Sequence, residues 1–226
     1  SCATTKRVPN GKNLLQKNEI FTNNKLVKDE QIVNLVVQQP NSSIFKIPIR
    51  LHLYNLAKKN PDSSYKTWLH RNPRRYNRLK SVLSAKQVEQ LGHSFVVLGI
   101  NNFLKSTGEF PIIIDKKKSE KSKKRLEEFY KNNGFLKTKA TFTLDSVGFK
   151  KAKVTYKVET GKPYHIDSLK QEIETPVLDS LFNIEAKNSH IKIGKQYKYA
   201  DFDAEIKRIN KHFKNNGVYH FQENNV

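Results

Sequence analysis

Methionine is absent from all 226 residues, and cysteine and tryptophan occur once each. A lone cysteine excludes an intrachain disulfide. No apolar run approaches the length of about 18 residues that a membrane-spanning helix needs; the longest, around Phe95–Ile100 and Pro111–Ile114, are the size of a strand or short helix. Acidic residues are scarce, 21 against 42 lysines and arginines, which leaves a formal net charge of +21. Such a field draws polyanions (nucleic acid, anionic lipid head groups, lipopolysaccharide) and says nothing of fold. The missing methionine predicts that residue 1 arises by processing or truncation rather than by initiation. The length allows one large domain or two ordinary ones.

Catalytic patterns are missing too. His52, His70, His93, His165, His190, His212 and His220 include no pair four residues apart on a predicted helix and lie near no cysteine, so a zinc site is not expected. There is no nucleophile elbow, P-loop or dinucleotide fingerprint. The expectation is a non-enzyme without cofactor or metal; a secreted hydrolase would need a site that the sequence does not offer.

Residues 1–12 (SCATTKRVPNGK) read as a flexible leader, polar and broken by Pro9 and Gly11. Leu14–Thr22 reads as a strand, Asn23-Asn24 as a turn, and Asp29–Gln38 as a helix with acids in its first turn, where they meet the positive end of the dipole. Pro40 stops that helix. Ile44–Tyr54 alternates apolar and polar and suggests a strand, although Pro48 argues against a central one. Ser84–Leu91 has an N-cap and looks helical. Residues 115–124 hold six lysines in ten, a solvated linker or helix entrance, and Arg125–Asn133 continues as a helix ended by Gly134. Two alternating strands follow, with Ala140, Phe142 and Leu144 and then Ala152, Val154, Tyr156 and Val158 predicted to face inward. After Gly161 the order restarts: Tyr164–Ile173 as a strand, a helix opened by Thr175-Pro176, a second helix marked by Phe202, Ile206, Ile209 and Phe213, and Val218–Gln222 as a strand.

The restart is a repeat. Arg125–Phe135 (RLEEFYKNNGF) aligns with Arg208–Val218 (RINKHFKNNGV) at an offset of 83 residues, with five of eleven positions identical and Leu126/Ile209, Tyr130/Phe213 and Phe135/Val218 all apolar. A period near that length means repeated small domains rather than a solenoid.

Strand–helix–helix–strand–strand with a helix ending in Asn-x-Gly resembles the POTRA module, and Val158–Ile166 (VETGKPYHI) is similar, position by position, to the V-x-x-G-x-x-Y-x-I junction between such modules. Ser1-Cys2 resembles the end of a bacterial lipobox, which implies acylation of Cys2 and a tether rather than a span. With Gly108-Glu109-x-Pro111, the nearest resemblance is to the BamA/TamA family, in particular its lipoproteins in Bacteroidetes, the TamL group. Surface-bound lipoproteins of that phylum carry acids just after the cysteine; here the first acid is Glu19, which favours a periplasmic face.

The resemblance implies an α+β fold of tandem POTRA-like β-α-α-β-β modules, each a small mixed three-stranded sheet covered by two helices. The modules would span 13–160, with a basic insertion at about 40–115, and 161–226, lacking its last strand. It implies a periplasmic, lipid-anchored region of an outer-membrane protein or lipid assembly factor, followed by a membrane β-barrel. Its partners would be a TamB-like periplasm-spanning protein or other assembly subunits, and nascent outer-membrane protein strands. Binding would occur by β-augmentation at the exposed second strand: Lys139, Ala140, Thr141, Phe142 and Thr143, and in the second copy Val218, Tyr219, His220 and Phe221. Lys137 and Lys139 equally suit the role of guards against aggregation. A separate anion-binding surface is expected at Trp68, Arg71, Arg74, Arg75 and Arg78. Basic residues among aromatics also suit nucleic acid, the rival reading, but no nucleic-acid motif accompanies them.

Overall fold

The computed structural model describes residues 4–45 and 47–226, and for residues 95 and 96 the backbone alone. The fold is α+β with one small mixed sheet among the described residues. Its strands are β1 (Leu14–Thr22), β2 (Lys25–Leu26), β3 (Lys139–Gly148) and β4 (Lys151–Glu159), in the order β2-β1-β4-β3. Asn23 and Asn24 take φ of 49° and 64°, the left-handed pair that a tight hairpin turn demands, and β2 pairs antiparallel with the end of β1. The Leu14 amide donates to the Lys150 carbonyl at 2.9 Å and the Asn23 amide to that of Val158 at 2.9 Å, so β1 runs parallel to β4. β3 and β4 form a hairpin through Phe149 and Lys150.

The chain divides into two compact units. The first contains residues 4–18, Gln38–Lys116 and Leu144–Val154; the second contains Glu19–Val37, Lys117–Thr143 and Thr155–Val226.

In the first unit Val8, Leu14 and Leu51 share a buried cluster. Its central segment is helical: α2 (Ile49–Leu56), α3 (Pro61–His70), α4 (Pro73–Lys80), α5 (Ala85–Gln90) and α6 (Phe95–Thr107). Ser84 closes a capping box with Gln87, as its position before the apolar run foretold. α2 packs on α6, and α3 on α4 and α6. A side chain at Gly108 would place its Cβ 2.5 Å from the Tyr54 amide nitrogen, so only glycine lets this backbone pass α2.

Two expectations fail in this unit. Ile44–Tyr54 is not a strand: Ile44 and Ile47 close a tight turn, Pro48 precedes α2, and Leu51 and Tyr54 are buried from a helix. Proline lacks the amide a strand ladder needs but is suited to a helix entrance. The leader is not a free tether over its described part either. Thr4, Thr5 and Val8 are buried, the Arg7 guanidinium lies 4.4 Å from the Tyr54 ring centre, and Lys6 and Arg7 donate to the Asn55 and Ala57 carbonyls at the C-terminal end of α2. Cations at that end meet the negative pole of the helix.

In the second unit Tyr156 and Val158 are buried on β4, and Leu126 and Tyr130 are buried on α7 (Lys116–Asn132). The Tyr130 hydroxyl is 2.7 Å from Thr22 Oγ1. The helix α1 (Glu30–Val33) is shorter than the expected Asp29–Gln38, but Asp29 caps it through the Gln31 amide. Beyond it the Val37 amide donates to Ser122 Oγ on α7 at 2.9 Å. The end of β4 is locked to the β1–β2 turn: the Asn23 side chain donates to Thr160 Oγ1 at 3.0 Å and accepts from the Thr160 amide at 3.1 Å, and Gly161 follows with φ 71°.

α8 (Pro176–Glu185) and α9 (Tyr199–Asn215) form where proline spacing and apolar period predict them. The flanking strands do not. Of Tyr164–Ile173 only a bridge between His165 and Gln196 forms, and Val218–Gln222 is a turn leading into a single 3-10 turn at Glu223–Asn225. Each lacks a neighbouring strand of sheet length, and an isolated strand cannot satisfy its own amides and carbonyls.

Candidate functional site: the β3 edge and a basic helix

β3 ends the sheet, so one side of its backbone faces away from β4. The opposite flank of the sheet is closed over much of its length: β2 pairs with Phe21 and Thr22, and the Leu15 amide donates to the Ile112 carbonyl at 2.8 Å. Over Lys139–Thr143 the only hydrogen bond from outside the sheet, among the described residues, runs from the Ala140 amide to Glu127 Oε1 of α7, at 2.8 Å. That bond fixes the direction of the outward amides. Period two along a strand aims the Phe142 amide the same way. Ala140 is buried and Phe142 half-buried on the covered face, where the Phe142 ring stands 6.1 Å from that of Tyr156; Lys139, Thr141 and Thr143 face water or are nearly so. An extended segment laid along this edge would find backbone partners beyond Ala140, with the Lys139 charge at one end.

The second copy offers no such edge. Val218, Tyr219, His220 and Phe221 adopt no strand, Tyr219 is exposed, and Phe221 packs edge-on against Phe213 at 4.8 Å. The two sets expected to act alike are therefore different objects, because only β3 has a partner strand.

Trp68 lies on α3, Arg71 caps the C-terminal end of that helix, and Arg74, Arg75 and Arg78 lie on α4. Asn72 caps α4 through the Arg74 amide at 3.0 Å and Pro73 opens its first turn. The Arg75 guanidinium lies 4.7 Å from the Trp68 ring centre and donates to the Trp68 carbonyl at 2.9 Å, which ties α4 back to α3. Nearby ion pairs use other residues: Lys66 with Asp62 at 3.0 Å and His70 with Glu89 at 3.0 Å. Among the described residues Arg71, Arg74 and Arg78 have no carboxylate at salt-bridge distance and are exposed. Guanidinium groups without acid partners, at the end of α3 and on α4, suit phosphate-bearing surfaces.

Cys2 lies outside the described residues. Among those described, no group of three His, Cys, Asp or Glu could hold a metal, and no helix is long and apolar enough to cross a membrane.

Sequence reading missed two features. Glu127 acts on the edge strand from thirteen residues upstream, a relation that no local pattern signals. The turn at Ile44–Ile47 carries exposed apolar residues; its one sequence signal is the bracketing by Pro40 and Pro48. The chain matches no protein-family model, no curated protein and no solved structure.

Proposed function

We propose that this chain is a POTRA-type region of an outer-membrane assembly factor of the BamA/TamA class, tandem in organisation, tethered through an acylated Cys2 on the periplasmic face. On this reading it is a binding scaffold and not an enzyme, and it receives a partner or substrate strand along Lys139–Thr143. The observation that carries the reading is the terminal position of β3 in a sheet entered by strand, helices and a strand hairpin, with α7 against that sheet. The two Asn-Asn-Gly helix ends, 83 residues apart, support the tandem element. A TamB-like protein or a nascent outer-membrane strand would supply the added strand.

A photo-crosslinker placed in turn at Lys139, Thr141 and Thr143 tests this in native cells. Adducts are expected at these positions and not at exposed Lys86 on α5; labelling no stronger than at Lys86 would remove the edge from consideration. Palmitate labelling lost in Cys2→Ala is expected for the tether, and an unacylated native Cys2 would remove it.

The competing reading, binding of nucleic acid or anionic lipid, draws on the acid-free guanidinium cluster of α4. It predicts binding that weakens steeply with salt and is reduced by joint substitution of Arg71, Arg74 and Arg78.

A further inference from the structure

We propose that the Ile44–Ile47 turn is a membrane wedge: Phe45, flanked by Ile44 and Ile47, enters the interfacial layer of an anionic bilayer that the basic first unit is drawn to.

Ile44 and Ile47 exchange both backbone hydrogen bonds, at 3.0 and 2.9 Å, and so close a tight turn. Within it Phe45 takes φ 50°, a left-handed conformation that a bulky residue rarely adopts. Its ring gains no burial in return: Phe45 is 94% exposed, Ile44 60% and Ile47 54%. Backbone strain beside unburied apolar surface marks a place where the return comes from outside the chain.

The turn stands on a clamped base. Glu109 accepts from the Ser42 amide at 2.9 Å, from the Ser42 hydroxyl and from Asn41 Nδ2 at 3.3 Å, and pairs with Arg50 at 3.3 Å. Asn41 also donates to the Phe110 carbonyl at 2.7 Å and accepts from the Ile112 amide at 3.0 Å. On the far side Leu51 is buried two residues into α2. A fixed base beneath an apolar tip lowers the ordering cost when the tip enters another phase.

Charge selects the occupant. The first unit's sequence segments hold 20 lysines and arginines against five acids, a balance of +15, whereas those of the second hold 22 against 16, a balance of +6. An anionic leaflet answers a diffuse field of this size and also offers an apolar layer for aliphatic and aromatic side chains. Nucleic acid answers the charge, but its backbone has no apolar layer for two isoleucines.

The test is co-sedimentation of the full chain with phosphatidylethanolamine–phosphatidylglycerol vesicles, against phosphatidylcholine vesicles and a duplex oligonucleotide. Binding to the anionic vesicles is expected to fall about tenfold or more in Phe45→Asp, the loss that removing one buried aromatic predicts, with unchanged far-ultraviolet circular dichroism. Phe45→Trp in a Trp68→Phe background is expected to shift its emission to the blue on these vesicles and to be quenched by brominated acyl chains. Vesicle binding that Phe45→Asp leaves intact, or an unquenched Phe45→Trp, overturns the wedge and leaves charge attraction alone. An oligonucleotide whose affinity falls in Phe45→Asp as much as that of the vesicles overturns the bilayer as occupant. The inference is independent of the β3 reading, since the crosslinking and vesicle experiments use different residues and different ligands.

Discussion

The helices α7 and α9 end in the same way and lead to different structures. In each, a glycine with φ 92° follows two asparagines, Gly134 in one and Gly217 in the other. In each, the residue after the glycine donates back five positions: Phe135 to the Tyr130 carbonyl and Val218 to that of Phe213, both at 3.0 Å. The glycine amide itself donates to the carbonyl three before it, at 3.0 Å from Gly134 to Lys131 and 3.3 Å from Gly217 to Lys214. This is a Schellman ending, with the Tyr130 and Phe135 rings 6.1 Å apart at the α7 end, and the short repeated sequence suffices for the backbone pattern. After α7 the chain becomes β3, because β4 lies next in sequence to pair with it. After α9 no strand follows. A helix stop is local chemistry; a strand needs a neighbour.

Paired substitutions at equivalent positions sharpen the comparison. The largest single loss is expected in the cores. Leu126 is fully buried, so Leu126→Ala should cost about 4 kcal/mol, whereas Ile209→Ala, at a site 7% exposed, should cost about 2 kcal/mol. Urea denaturation measures both, and equal losses would mean that the two helices are equally well covered.

The shared arginine reverses the order. Arg208 holds the buried Glu205 with two bonds, Nε to Oε2 at 3.0 Å and Nη2 to Oε1 at 2.6 Å, and reaches the Glu185 carbonyl on α8 at 3.2 Å. Arg125 is exposed. Arg208→Ala should cost about 3 kcal/mol, because Glu205 is left buried with one charge partner fewer, and Arg125→Ala less than about 0.5 kcal/mol. The reverse ranking in thermal unfolding would break the assignment.

The glycines come next. A Cβ at Gly134 would stand 2.5 Å from the Tyr197 carbonyl oxygen, while one at Gly217 meets nothing within 4 Å. Gly217→Ala should therefore show only the left-handed backbone cost, about 1 kcal/mol, and Gly134→Ala about 2 to 3 kcal/mol. Losses of one size would mean that the Gly134 surroundings yield.

The smallest effect is with pH. Burial pushes the Glu205 carboxyl up, but bonds from Arg208, the His190 amide and Ser189 more than offset that and hold it below the usual glutamate value. A carboxyl lowered in the folded state stabilises fully above its unfolded range, and that contribution is lost as pH falls through the folded value. Denaturation between neutral and acid pH should show a loss that is blunted in Arg208→Ala.

Where the signal was local, the sequence was legible. The Asn23-Asn24 turn, the Ser84 cap, the Thr175-Pro176 helix start and the alternation of β4 all stand where composition and period place them. The edge position expected for the second strand is also the position of β3. What failed depended on distant partners. The alternation of Ile44–Tyr54 was outweighed by Pro48 and by burial of Leu51 and Tyr54 among helices. The polar leader gained partners at the end of α2, and Val218–Gln222 had no strand to join.

The sequence by itself determined the helix starts at Ser84 and Thr175-Pro176, the inward face of β4, the strong positive charge and the two matching Asn-Asn-Gly exits. Each of these rests on residues within a turn or two of one another, where backbone preference and side-chain spacing decide. Only the tertiary structure decided that Glu127 takes the first outward amide of β3 and that the turn carrying Phe45 stands on a Glu109 clamp. Those features join residues far apart in sequence, and hydrogen bonds and ion pairs of that kind exist only once the chain has closed on itself.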